Sequence, residues 1–109
     1  MRRVSMDLDI IGVNEENPIF RGILQRRVSR EVRGESRAVY VFDTDDGPKG
    51  VWASASIEKN LDRVLEICGP GADVEITWLE KIDLEGGKTY NRYEIALDDA
   101  SADKIDLAR

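Results

Sequence analysis

Apolar and polar positions alternate with a period of two along most of this chain, and in one segment the period lengthens to that of a helix. Residues 6–10 (MDLDI) alternate apolar and acidic as a half-buried strand does, and residues 14–18 (NEENP) then break the pattern, so 1–18 reads as an N-terminal arm or edge strand. Residues 19–29 (IFRGILQRRVS) predict a long, bent first strand in which Gly22 gives the room to coil. Residues 30–36 (REVRGES) carry charge and one glycine but no apolar period, which predicts a loop. Residues 37–43 (RAVYVFD) are β-branched and aromatic and predict the second strand. Asp46, Gly47 and Pro48 mark a turn, after which residues 50–54 (GVWAS) return as the third.

From Ser56 the spacing of Ile57, Leu61, Val64, Leu65 and Cys68 is that of one helical face. Ser56 is placed to cap this helix and Gly69-Pro70-Gly71 to stop it. Residues 72–82 and 89–97 predict the fourth and fifth strands, with Val74, Ile76 and Trp78 in step on one and Tyr93, Ile95 and Leu97 on the other. A glycine turn (DLEGGK) joins them. The pattern thus predicts an all-β fold over residues 19–97, a five-stranded barrel with one helix between the third and fourth strands. Residues 98–109 are small, polar and acidic and read as a flexible tail, with Ile105 and Leu107 able to dock.

A length of 109 residues is one domain. No run of 18 apolar residues occurs, and the first ten residues hold two arginines but no signal-like apolar stretch, so the expectation is a soluble cytoplasmic chain with no membrane partner. One cysteine excludes an internal disulfide framework, and the absence of histidine removes the commonest general base and metal ligand. The reading is therefore of a non-enzyme, with no cofactor, no metal and no catalytic residue. The net charge of −6 argues against a uniformly basic binder, but its distribution is uneven. Arg21, Arg26, Arg27, Arg30, Arg33 and Arg37 against Glu31 and Glu35 give one segment +4, which leaves −10 for the remainder. Such a strip still attracts phosphate locally, because exposed charges are screened beyond about 10 Å.

Several chemical-looking motifs fail on spacing. Gly87-Lys88-Thr89 imitates the end of a phosphate-binding loop, but Ile82 stands where its leading glycine belongs and a strand follows. The run from Asp43 to Gly47 resembles a calcium loop whose glycine comes one place early and whose closing glutamate is Ser54. Cys68 lies at the carboxyl end of the helix on its apolar stripe, which is a core position.

What remains is a mixture of cations and flat rings. Arg26, Arg27, Arg30, Arg33 and Arg37 surround the first loop, Lys88 and Arg92 the last, with Tyr40, Trp52 and Tyr90 as the rings placed to stack. Single-strand binders use this mixture: cations follow phosphates, and each exposed ring stacks on a base for roughly 1–3 kcal/mol. The bland readings are that rings such as Tyr40, Phe42 and Trp78 are core, and that the arginines pair with Glu31 and Glu35.

The order of these elements resembles the small OB-fold single-stranded DNA-binding proteins of bacteria and their phages. The likeness runs from Asn17 to Leu97. It is carried by PIFRGIL opening the barrel, VYVF followed by DDG, VWAS leading into the helix, VEI after a glycine turn, and GKTY before the last strand. The resemblance implies an OB-fold Greek-key barrel that binds single-stranded DNA with little sequence preference, in replication, recombination or repair. It also implies an acidic tail that recruits other replication or recombination proteins, although this tail ends in Leu107-Ala108-Arg109 and lacks their hydrophobic tip. The alternative is an interaction or assembly module on the same barrel. Edge strands that can pair between copies leave a homo-oligomer open.

Overall fold

The computed structural model of the chain describes residues 8–108, so residues 1–7 of the expected N-terminal arm or edge strand lie outside them. Strands make up 52% of the structure, in one six-stranded sheet that curls into a half-barrel, with two helices. The elements are β1 (Asp9–Ile11), β2 (Ile19–Val32), β3 (Glu35–Thr44), β4 (Gly47–Trp52), α1 (Ala55–Cys68), β5 (Asp73–Asp83), β6 (Thr89–Leu97) and α2 (Asp99–Leu107). They lie in the order β1-β4-β3-β2-β5-β6, with β2 pairing antiparallel to β3 through its distal half and to β5 through its first residues.

The core lies between the inner face of the sheet and α1. Phe20 and Leu24 from β2, Tyr40 and Phe42 from β3, Val51 from β4 and Val74 and Ile76 from β5 meet Ile57, Leu61 and Val64 of the helix. Of the helical stripe, Ile57, Leu61 and Val64 are buried and Leu65 and Cys68 half-buried against the core. The helix cap differs: Ser54, not Ser56, accepts the N–H of Ile57 at 3.3 Å, so the helix starts two residues earlier. Gly22 serves a close approach, since a Cβ there would lie 2.8 Å from Phe42 Cβ.

The sheet has six strands, and a closed five-stranded barrel would need a ladder between β4 and β6, whereas β4 pairs in parallel with β1. The open side is bridged by the segment after β1: Val13 is buried in the core and its carbonyl accepts the Tyr93 hydroxyl at 2.9 Å. The loop expected at residues 30–36 is strand, because β2 and β3 stay paired to Val32–Glu35 and turn through two residues, Arg33 (φ 52°) and Gly34 (φ 80°). Positive φ at both turn positions matches the twist of the strands, so a polar ladder persists beyond the core.

The tail, expected to fray, forms α2. Asp98 caps it with one carboxylate oxygen accepting from Ser101 N at 3.1 Å and the other from Asp73 N at 3.0 Å. The cap thus ties the helix to β5. Hydrogen bonding by the Ser101 side chain first, and then by these backbone N–H groups, holds the Asp98 carboxyl below its ordinary pKa. Ser101 is buried, Cys68 Sγ lies 3.5 Å from its carbonyl, and Ile105 packs on the core, while Leu107 is 86% exposed. Among the described residues no helix is long and apolar enough to cross a membrane.

Candidate nucleic-acid interface

A slip in pairing between Leu24 and Arg26 decides which arginines face outward. Leu24 lies opposite Phe42 but Arg26 lies opposite Val41, so Gln25 is an extra residue in β2. Without it, Arg26, Val28 and Arg30 would fall on the helix side. With it, they share the outer face with Val41, Val39 and Arg37, and Arg27 turns inward opposite Tyr40.

The inner side is closed chemistry. Arg27 places Nη1 2.6 Å from Asp62 Oδ2 and Nη2 2.8 Å from Glu58 Oε1, with its guanidinium 6.0 Å from the Tyr40 ring centre. The Tyr40 hydroxyl donates to Asp62 Oδ1 and to Glu58 O, and the residue is fully buried. Burial, and then the Asp62 carboxylate, push the Tyr40 phenol well above its ordinary pKa. Burial works to raise the Asp62 carboxyl, but the Tyr40 hydroxyl and Arg27 outweigh it and hold it below the usual range. Tyr40, a ligand-contacting candidate in the sequence, is therefore corrected to a core residue, while Arg27 stays exposed but is tied to α1 by its two carboxylates. The acids that hold Arg27 are in α1, not Glu31 and Glu35, the partners of the alternative reading.

The outer side is open chemistry. Arg30 lies directly opposite Arg37 in the ladder, and Arg37 sits 5.2 Å from the ring centre of the half-buried Trp52. Like charges facing each other across a ladder cost stability unless a counter-charge joins them. Among the described residues, no ion pair reaches Arg26, Arg30, Arg33 or Arg37, all exposed. Val32, Arg33, Glu35 and Arg37 line an open depression at the ribbon tip.

Part of the same face is taken by the chain itself. Val39 and Val41 point outward yet are 0% and 2% exposed. Leu8 and Ile10 lie over them at Gly50, where a Cβ would come within 2.8 Å of Leu8 Cδ2 and Val39 Cγ1. The free strip is thus Arg26, Arg30 and Arg37 with Trp52 beside them and Arg33 at the tip.

Lys88, Tyr90 and Arg92 are not brought to this strip. They belong to the β5–β6 hairpin, which leaves the opposite end of β2. Tyr90 is 45% exposed opposite Ile82, and Arg92 is held by Glu80 at 2.9 Å. Trp78 is half-buried and donates its indole N–H to Asn91 Oδ1 at 3.1 Å. Sequence reasoning missed Glu58 and Asp62, whose spacing of four on α1 is the one signal that could have found them. It also missed the slip at Gln25, for which the residues give no local sign. Among the described residues no group of three or more Cys, Asp or Glu side chains is placed to hold a metal ion.

No family model, curated protein or solved structure matches this chain.

Proposed function

We propose that this protein binds single-stranded DNA without enzymatic chemistry and with little sequence preference, serving replication, recombination or repair in the cytoplasm. The observation that carries the reading is the facing pair Arg30 and Arg37, which form no ion pair among the described residues, beside Trp52. A phosphate between two guanidinium groups removes their repulsion, and a base laid on Trp52 takes the position over the ring that Arg37 holds in the free protein. A ribbon exposing cations along one face offers a track for a flexible backbone, which suits a single strand better than a rigid groove. The same reading assigns the half-barrel to an open relative of the OB-fold. It is supported by a first long strand shared between two antiparallel partners and a helix between β4 and β5.

The test is a fluorescence titration with labelled oligo-dT at two salt concentrations, with duplex and RNA competitors. The slope of log affinity against log salt is about −0.7 per neutralised phosphate, so four arginines give roughly −2 to −3. Loss of binding on this scale with salt, and weak competition by duplex, support the proposal. No binding at low salt rejects it in favour of a protein-interaction module.

A further inference from the structure

β6 ends the sheet, and among the described residues its one ladder partner is β5. Residues opposite each other in an antiparallel ladder alternate between pairs that exchange hydrogen bonds and pairs that do not. Just past the strand, Asp98 donates its N–H to Asp73 O at 3.1 Å, which makes the even-numbered residues of β6 the ones bonded to β5. Trp78, opposite Tyr93, sends its own N–H the other way, to Pro18 O at 2.7 Å, in keeping with this phase. Asn91, Tyr93 and Ile95 therefore turn their N–H and C=O groups to the bare edge. An edge of nine residues with its polar backbone unpaired is a template for another strand.

We infer that β6 pairs antiparallel with β6 of a second copy, about a two-fold axis through Tyr93. The charges select this occupant and this register. With Tyr93 on the axis, Arg92 faces the partner's Glu94 and Glu94 faces the partner's Arg92, so one surface satisfies itself twice. On that same side the exposed Tyr90 faces the partner's Ala96. Adjacent registers centred on Arg92 or on Glu94 set like charges face to face, which is unfavourable. Arg92 already meets Glu80 on its own sheet, so pairing extends a row of alternating charge across the interface. The Tyr93 side chain does not obstruct the approach, because its hydroxyl is held inward by Val13 O. This inference is independent of nucleic-acid binding.

Sedimentation equilibrium of the full chain, from low micromolar to near-millimolar concentration, reads the outcome. The wild type is expected to show a monomer–dimer equilibrium. Arg92→Glu and Glu94→Arg alone should each weaken self-association roughly tenfold, because each sets like charges opposite. Mixed in equal amounts, the two variants should regain dimer of wild-type strength, since the acidic edge of one then meets the basic edge of the other. Misfolding of either variant cannot produce that recovery. A wild type that stays monomeric throughout, variants that associate like wild type, or a mixture that does not recover would overturn the inference.

Discussion

On the helix side of the β2–β3 ladder, Arg27 lies between Asp62 and Glu58 with Tyr40 beneath it, whereas on the outer side Arg30 and Arg37 face each other and, among the described residues, form no ion pair. The same two strands, with arginine density continuous in sequence, thus produce a clamp on one face and an unsatisfied cationic strip on the other. Pairing separates the two roles. A charge whose partners are built into the fold stabilises that fold, and a charge left without a partner is available to an outside anion. One extra residue at Gln25 sets which arginine belongs to which class.

Removing the support common to both faces has the largest expected effect. Phe42→Ala empties a fully buried site against Phe20 and Leu24 and should cost about 3–5 kcal/mol of stability in denaturant unfolding. Trp52→Ala tests the outer face alone: oligo-dT binding should weaken by about 1–3 kcal/mol, and the ribbon should keep its circular dichroism. Tyr40→Phe tests the inner face alone. It removes the hydroxyl from Asp62 and Glu58 O and should lower stability by about 1–2 kcal/mol, with affinity for oligo-dT unchanged.

The smallest effect is set by pH. The Asp62 carboxyl is lowered in the folded chain, so its contribution is fully present above its unfolded pKa of about 4 and is lost as pH falls through the folded value. Hydrogen exchange of α1 near Asp62, corrected for the intrinsic effect of pH, should accelerate in that acid window more than that of the ribbon tip, which has no such pair among the described residues.

The elements that were legible in the chain are those whose signal is local. The Ile57, Leu61, Val64 stripe lies buried as its period requires, and a turn does join β3 to β4, although its two residues are Asp45 and Asp46 and the expected turn residues Gly47 and Pro48 already belong to β4. The misread elements depend on distant partners. The polar ribbon beyond Val28 has no apolar alternation to announce it, because strand pairing alone holds it. α2 is too weakly amphipathic to predict itself and is fixed by a carboxylate that also binds β5. Arg27 meets acids 31 and 35 residues away, so its neighbours Glu31 and Glu35 were misleading partners. Of the ring candidates, Trp52 lies beside the arginines, Tyr40 is core, and Tyr90 sits on the other hairpin.

The most direct test of the outer strip is oligo-dT titration of the wild type beside the triple variant Arg30→Ala, Arg33→Ala, Arg37→Ala at several salt concentrations. The strip predicts an affinity roughly a hundredfold lower at low salt, and a salt slope shallower by about 2, with no loss of thermal stability because a repulsive pair has been removed. Equal affinity and an equal salt slope in the two proteins would contradict it.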